Sequence, residues 1–195
     1  MAGIKEKNLS EFFVGQGDMI YFDPVTDFST ATLATLTNGK SFGNIKEDST
    51  GWTGDDVTTT TVRNEQGNPI VTVPTAGTYA WEFTLAEFDD ETVKMLLQGA
   101  NINVSDLTAD WVKKEGTSVI GIGTELPVIE MPVGLVNQTL NKTILAPKGQ
   151  VTSSLVIEDK MVCIHCVVTA QMVNTKSLKT ITIINGALTY DTTNA

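Results

Sequence analysis

The sequence predicts a mainly β protein, an antiparallel β-sandwich or open barrel with one short flanking α-helix, long loops and terminal arms. Three observations lead to this fold class. Short segments rich in Thr, Val and Ile alternate between apolar and polar residues, which is the period-two pattern of strands. Clusters of Gly, Pro, Asn and Asp separate these segments, and only one segment has the spacing of an amphipathic helix. The 195 residues suit a single domain, so we treat 1–195 as one unit with its own core.

The N-terminal half contains the clearest predicted strand. Residues 1–17 are expected to form an arm and residues 23–54 a long loop with only weak strands, near 32–36 and 41–47. The segments VTTTTV and IVTV then flank a turn at 64–69. In the segment YAWEFTLAE, Trp81 and the other apolar residues at every second position point to one side. This strand therefore has one face in a core and one polar face.

One short helix is predicted at 89–98, directly after that strand. Asp89 is a suitable N-cap, and Phe88 and Val93 occupy the two positions of a hydrophobic staple. Gly99 follows the last helical residue, where glycine commonly ends a helix. A helix this short needs to pack against the sheet to be stable.

The C-terminal half is predicted to begin with a long irregular connection and to end in a meander. The connection at 101–148 contains Pro127, Pro132 and Pro147, which interrupt regular patterns. Three apolar segments joined by short turns then favour consecutive antiparallel strands. These segments are 151–157, 161–170 and 178–184. Residues 186–195 are expected to be a C-terminal tail, and contacts with neighbouring chains would hold such arms in place.

The charge of the chain argues against a nucleic-acid reader. Thirteen Lys and Arg residues against 23 Asp and Glu give a formal net charge of −10, and Arg63 is the single arginine. Nucleic-acid readers gain affinity from Lys and Arg, so this composition is not expected in that class. Residues 1–100 carry 6 basic and 15 acidic residues and so a net charge of −9. We interpret this acidity either as a solvated surface or as a face that repels a passing polyanion.

No catalytic, metal-binding or cofactor-binding motif stands out in the sequence. The single histidine, His165, lies in the apolar segment MVCIHCVVTA between Cys163 and Cys166. On an extended, buried strand these two thiols point to opposite faces, and no second ligand pair exists for a zinc site. The motif that begins at Gly121 lacks the third glycine of a dinucleotide loop. No stretch approaches the roughly 20 apolar residues of a membrane span, so no membrane contact is expected.

Residues 51–99 resemble the major tail tube protein of long-tailed, siphovirus-type bacteriophages. The segment reads GWTGDDVTTTTVRNEQGNPIVTVPTAGTYAWEFTLAEFDDETVKMLLQG. Its order is a Trp-containing loop, a polar strand, a short strand and an alternating strand that runs directly into the FDDETVKMLL helix. The rest of the chain is similar to the family in size, acidity and β content.

This resemblance implies a structural virion protein without catalysis or a cofactor. Members of the family fold as a β-sandwich or open barrel with one helix, form hexameric rings, and stack these rings into a hollow tube that conducts DNA into the host. Long loops and terminal arms join consecutive rings. The implied partners are further copies of the chain, the tape measure, tail terminator and distal tail proteins, and DNA in transient passage. The implied location is the virion tail, assembled in the host cell cytoplasm.

Two sets of residues are candidates for roles in such a tube. Acidic or polar residues near the matched segment are candidates to line the lumen, because a lining that repels phosphate lets DNA slide without sticking. These residues are Asp55, Asp56, Glu65, Glu82 and Thr84. Aromatic residues of the loops and the N-terminal arm are candidates for contacts between rings. These residues are Phe42, Trp52, Phe12 and Phe13.

Other classes remain open alongside the tail tube. A carbohydrate- or ligand-binding β-sandwich module would explain the fold and the tryptophans at 52, 81 and 111, but not the long loops and the uneven acidity. A head–tail joining or capsid-decorating protein is a further structural alternative. An enzyme would need His165 or a pair of carboxylates in a pocket.

Overall fold

The computed structural model describes residues 17–28, 30–56, 58–75, 77–101, 119–123, 128–186 and 188–191. The strands in the first half of these ranges are β1 (Asp18–Tyr21), β2 (Lys40–Ser41), β3 (Asn44–Ile45), β4 (Gly51–Trp52), β5 (Thr58–Arg63), β6 (Pro69–Thr75) and β7 (Ala80–Glu87). Helix α1 (Asp90–Leu96) follows β7. The later strands are β8 (Ala100–Asn101), β9 (Ile120–Gly121), β10 (Val128–Asn137), β11 (Lys142–Glu158), β12 (Met161–Ala170) and β13 (Thr182–Ile184). The predicted mainly β, antiparallel fold with one short α-helix is confirmed.

Nine of the described strands form one antiparallel sheet that curls into an open barrel. The order along the sheet is β2-β1-β10-β11-β12-β7-β3, with β13 paired to β11 and β4 paired to β7. The two outermost strands, β2 and β3, are consecutive in the chain and are separated by Phe42 and Gly43 alone. So short a link spans only about 10 Å, and the two edges of the sheet must therefore approach each other.

The core fills the inside of the curled sheet. Phe42, which links the two edges, is fully buried between Tyr21 of β1 and Phe83 of β7, and its ring centroid lies 4.7 Å and 5.4 Å from theirs. Trp81, Phe83 and Leu85 are buried on one face of β7, as the alternating pattern predicts. Residues of β1 and β7, the strands next to the two edges, therefore belong to one hydrophobic cluster, which is stabilised by the burial of apolar surface.

Helix α1 closes one side of the core. Its N-cap, Asp89, accepts a hydrogen bond from the amide of Thr92 at 2.7 Å, which satisfies a donor that the first turn leaves unpaired. The carbonyl of its last residue accepts a hydrogen bond from the Ser153 hydroxyl of β11. The predicted start is confirmed, whereas the end differs from the prediction. The C-cap is Leu97, so the residue after it is Gln98 and not the predicted Gly99. Gln98 adopts the left-handed conformation with φ 48° that commonly ends a helix.

The predicted long connection at 101–148 is wrong for its second half. Residues from 128 onward form β10 and the first part of β11, which pair along their length. The prolines suggested a break because proline has no backbone N–H for a ladder. In the structure, Pro132 on β10 and Pro147 on β11 lie where the pairing of the two strands shifts register. A bulge needs no ladder donor at such a position, so proline is compatible with the sheet. Pro127 lies outside the described residues.

The predicted loop at 23–54 contains more regular structure than a loop. It includes a 3-10 turn at Leu33–Thr35 and the strands β2, β3 and β4, which extend both edges of the barrel. The amide of Lys46 donates to the carbonyl of Thr84 at 2.8 Å, and the Ser49 hydroxyl accepts from the Thr84 amide at 3.1 Å. The weak strand predicted at 41–47 overlaps β2 and β3, whereas the one predicted at 32–36 is wrong, because this segment contains the 3-10 turn. β4 was missed, because a two-residue strand shows no period-two alternation.

β11 and β12 form the predicted hairpin, but the third strand of the predicted meander lies elsewhere. A two-residue turn at Asp159 and Lys160, both with positive φ, joins β11 to β12. β12 pairs with β7 on its other side, and β13 pairs with the opposite end of β11, at Thr143 to Leu145. The meander is therefore wrong, because a 17-residue strand offers two stretches for pairing and the sequence carries no signal for the choice.

The described part of the predicted C-terminal tail is held by its own chain. The amide of Asp191 donates to the carbonyl of Gly39 at 2.8 Å, and the amide of Ser41 donates to the carbonyl of Asp191 at 3.1 Å. This described part of the tail at 186–195 is therefore bonded to the segment around β2. The predicted N-terminal arm at 1–17 lies outside the described residues, except for its last residue.

Candidate functional site

The least buried part of the structure is a hairpin that stands apart from the barrel. β5 and β6 pair with each other in a separate two-stranded sheet and with no other described strand. Four aliphatic side chains on this hairpin keep about half of their surface or more exposed. These are Val62 (47%), Ile70 (67%), Val71 (48%) and Val73 (49%). Two strands alone are marginally stable in water, so such a hairpin gains stability from contact with another surface.

The base of this hairpin is a narrow stem closed by polar contacts. The amide of Asp55 donates to the Thr78 hydroxyl at 3.0 Å, and this hydroxyl donates to the Asp55 carboxylate at 3.1 Å. Gly77 lies so close to the carbonyl of Asp55 that a Cβ would overlap it, which explains the glycine at this position. Asp56 is exposed beside the stem. The two chain segments therefore leave the barrel side by side.

The tip of the hairpin is a defined turn that presents opposite charges. The side-chain carbonyl of Asn64 accepts hydrogen bonds from the amides two and four residues later, at 3.1 and 2.8 Å. Gly67 adopts φ 81°, and its carbonyl accepts a hydrogen bond from the Arg63 guanidinium at 2.8 Å. The side chains of Arg63 and Glu65 are both exposed. The tip therefore offers one cation and one anion to a partner.

The predicted lumen carboxylates occupy separate places. Asp55 and Asp56 lie at the base of the hairpin and Glu65 at its tip, roughly 20 Å away along strands of this length. Glu82 lies on β7 and is partly exposed. It pairs with Gly51 of β4, which precedes the stem residue Asp55 by four residues. The structure thus places Asp55 and Asp56 at the stem, Glu82 roughly 13 Å beyond the stem residue Thr78 and Glu65 at the tip.

The prediction that Thr84 lines a lumen is wrong, because only 3% of its surface is exposed within the chain alone. Its hydroxyl lies 3.3 Å from Nδ1 of His165, and a carboxylate oxygen of Glu82 lies 3.6 Å from Nε2 of the same ring. β12 is therefore not equally apolar on both faces. One face contributes to the core, whereas His165 is half-buried on a polar face with Glu82 and Thr84 of β7.

The two thiols lie on opposite faces of β12, as strand geometry predicts, and both are buried. Cys166 belongs to the core, and burial raises the pKa of its thiol to about 12. A thiol that stays protonated at neutral pH is a poor nucleophile and a poor metal ligand. In the part of the chain that the structure describes, no three His, Cys, Asp or Glu side chains cluster as metal ligands would.

The predicted inter-ring aromatic residues have different outcomes. Phe42 is excluded, because a fully buried side chain that joins the two edges of its own barrel cannot contact a neighbour. The backbone of Trp52 pairs with that of Trp81, within β4 and β7. Phe12 and Phe13 lie outside the described residues.

Sequence analysis missed the exposed aliphatic face of the hairpin as a contact surface. The signal was present in the segments VTTTTV and PIVTV, which contain no charge and no large side chain at alternate positions. A strand of this composition has no large apolar side chains to pack into the core of the barrel. Its β-branched residues nevertheless favour pairing with another strand.

A cleft of about 520 Å³ opens between β1, β10 and the start of α1. Its charged walls are the carboxylates of Asp23, Asp89 and Glu91 and the ammonium group of Lys40. Tyr21 is partly buried among them. Burial, together with the nearby carboxylates of Asp89, Asp23 and Glu91, raises the pKa of the Tyr21 hydroxyl. The same carboxylates give the cleft a negative potential that favours a cationic occupant.

A second exposed apolar surface lies at the tip of the β11–β12 hairpin, where Leu155 and Ile157 share one face. This tip is held by Lys46, whose ammonium group lies 2.8 Å from Glu158 and 2.7 Å from Asp159. Hydrogen bonds to Asp159 and Glu158 raise the pKa of Lys46, and the contact with Lys46 lowers the pKa of the Asp159 carboxyl. The tip is thereby fixed to the segment that follows β3.

Comparisons with known proteins do not assign the chain to a family. No protein-family model matches it, and no curated protein matches it. Among the described ranges, no helix combines the length and the apolar character that crossing a membrane requires. A functional assignment therefore depends on the surfaces described above and on the resemblance in residues 51–99.

Proposed function

We propose that this chain is a structural subunit that assembles into stacked hexameric rings and forms the tail tube of a long-tailed bacteriophage. The observation that supports it most is the β5–β6 hairpin, whose strands pair only with each other among the described strands and whose aliphatic side chains are exposed. The open barrel with one helix agrees with what the resemblance implies for this family. The hexameric state comes from the resemblance alone.

Self-assembly would bury the surfaces that a single chain leaves exposed. An exposed hairpin with free edges and four aliphatic side chains is a template for pairing with another chain. If the hairpin of one copy contacts a different surface of the next copy, the contact is heterologous and generates rings or open helical stacks. A hollow tube is built from rings that are stacked on one another. Other tail proteins, namely the tape measure, tail terminator and distal tail proteins, would contact its interior and its two ends.

The acidic residues around the hairpin base suit a lumen that conducts DNA. Asp55 and Asp56 lie at the stem, Glu82 lies on β7 opposite Gly51, and all three belong to the strongly acidic half of the chain. Carboxylates repel the phosphate backbone, whereas a basic lining would retain DNA in a salt-dependent way. We assign these three residues to the lumen in this proposal. Glu65, at the far end of the hairpin, is assigned to contacts between subunits.

Negative-stain electron microscopy of the purified chain over a concentration series tests the proposal. We expect rings or hollow rods of uniform width above a critical concentration, because assembly by repeated identical contacts is cooperative. Particles that stay monomeric at every concentration would contradict the proposal and would favour the ligand-binding module. Sedimentation velocity on the same samples distinguishes ordered assemblies from amorphous aggregates.

A variant without the hairpin tests the observation that supports the proposal. Residues 58–75 can be replaced by a short Gly-Ser linker, because the stem residues Asp55 and Gly77 lie in contact. We expect this variant to fold, since the barrel core is separate from the hairpin, but to remain monomeric. A second variant replaces only the turn at 64–68 and keeps both strands, and so separates the contribution of the tip, which contains Glu65, from that of the strands. Rods formed by the variant without the hairpin would rule out the hairpin as the assembly element.

A further inference from the structure

The acidic cleft and the hairpin tip carry complementary charges. The cleft is lined by three carboxylates and one ammonium group, from Asp23, Asp89, Glu91 and Lys40, so negative charge exceeds positive charge in its lining. The single arginine of the chain, Arg63, is exposed at the hairpin tip. An exposed arginine and a negative cleft of about 520 Å³ match in both charge and size, since pockets of this volume hold small ligands and side chains.

Two of the cleft carboxylates remain accessible to an incoming cation. Asp89 accepts the helix-capping hydrogen bond from α1. Asp23 accepts a hydrogen bond from the amide group of Asn38 on Oδ2, and Glu91 pairs with Lys94 through Oε1 at 2.6 Å. Each of these two exposed carboxylates thus has a second oxygen available for a further donor.

Resting on the proposed self-assembly, we infer that the cleft is the docking site for the hairpin tip of a second copy of this chain, with Arg63 bonded to Asp23 and Glu91. A guanidinium group has five donors in a planar fork and binds carboxylates in a bidentate manner. The bond from Arg63 to Gly67 uses one nitrogen and leaves the rest of the fork for the partner.

The surroundings of the charges fit the same occupant. Tyr21 offers an aromatic face beside the carboxylates, and guanidinium groups stack favourably on such faces. Met95 and Ile129 form apolar walls, against which Val62 and its cross-strand partner Val71 would lose their exposure. At the edge of the cleft, Lys40 is the natural partner for Glu65 of the incoming tip.

This contact can repeat from one copy of the chain to the next. Each copy has one tip and one cleft on different elements, so a copy whose tip is docked still has its own cleft free for a third copy. Such a heterologous contact does not close on itself in a dimer and continues into a ring or a stack. The cleft therefore supplies the acceptor surface that the proposed assembly requires.

Charge reversal with a compensating swap tests the inference by measuring the critical concentration of assembly. We expect R63D and D23R each to raise it by about tenfold or more, because each places like charges in contact. The double variant R63D/D23R restores the attraction with reversed signs and should return to within about threefold of the wild type. E91R, alone and with R63D, repeats the measurement at the helical side of the cleft.

The matched control is E47R, which makes the same change in charge as D23R at an exposed residue outside the cleft. It should leave the critical concentration unchanged, and circular dichroism confirms that every variant is folded. Assembly of R63D at the wild-type concentration, or failure of both swaps to restore assembly, would overturn the docking site while the proposed tube stands. A wild-type chain that never assembles would contradict both.

Discussion

The barrel and the β5–β6 hairpin use the same antiparallel pairing but differ in what stabilises them. Each strand in the middle of the barrel has a face in the core, as β7 does with Trp81, Phe83 and Leu85. In the hairpin, every described strand residue except Thr61 is exposed. Backbone pairing is therefore similar in the two regions, and burial of apolar surface is not. From this difference we expect the barrel to fold without the hairpin, whereas the hairpin has its apolar surface available for another chain.

The largest expected effect contrasts a core residue with a hairpin residue. Phe83→Ala should lower the free energy of unfolding by about 3–5 kcal/mol, because it removes a fully buried ring that packs against Phe42. Val71→Ala, on the exposed hairpin, should change it by no more than about 0.5 kcal/mol. Urea unfolding of both variants as monomers measures the two values. Equal losses would show that the hairpin is part of the folding core.

A smaller effect concerns the helix that covers the barrel. Asp89→Ala should cost about 1 kcal/mol at neutral pH, because the Thr92 amide loses its acceptor. The hydrogen bond from this amide lowers the pKa of Asp89 in the folded state. Its contribution is therefore complete above the usual aspartate pKa of about 3.9 and is lost as the pH falls through the lower folded value.

Unfolding curves from pH 7 down to pH 3 check this dependence, and Asp89→Asn is the matched control. Asparagine accepts the same hydrogen bond but does not titrate, so Asp89→Asn should keep most of the stability and lose the part of the pH dependence that comes from Asp89.

Hydrogen exchange compares the helix and the hairpin in the same variant. The amides of α1 and β11 should lose protection in Asp89→Ala, while those of β5 and β6 should not change, because the hairpin opens independently.

The smallest effect concerns the ion pairs at the tip of the β11–β12 hairpin. Lys46→Met should lower Tm slightly at low salt and not at about 1 M salt, because these charges are screened. The pKa of Asp159 is lowered by Lys46, so the contribution is present above the usual aspartate pKa and disappears as the pH falls through the lower folded value. Lys160→Met, on the same turn, is the control and should show neither dependence. A salt-independent loss in Lys46→Met would indicate a packing role instead.

The parts of the fold that could be predicted are those whose signals are local. The alternation around Trp81 and the capping residues around Asp89 describe elements whose residues are neighbours in the chain, and both predictions are confirmed. The strand β10 was missed because Pro132 looked like a break, and only the partner strand shows that it lies at a bulge. The position of β13 was missed because its partner at Thr143 to Leu145 is remote in sequence.

The burial of the predicted site residues depends on residues that are far away in the sequence. Phe42 looked like an exposed loop aromatic, but Tyr21 of β1 and Phe83 of β7 enclose it. Thr84 looked like a polar strand residue, but His165 lies beside its hydroxyl. Neither burial could be inferred, because each arises from strands that are far apart in the chain.

The sequence by itself determined the fold class, the start of the helix, the opposite faces of Cys163 and Cys166, and the acidity of the N-terminal half. These properties follow from periodicity, capping and composition, which act over a few residues or over the whole chain. Only the tertiary structure decided that the sheet closes through Phe42, that the β5–β6 hairpin stays outside the core, and that Asp23 and Glu91 line one cleft. The reason is that strand pairing joins residues at long sequence separation, and no local pattern encodes which strands become neighbours.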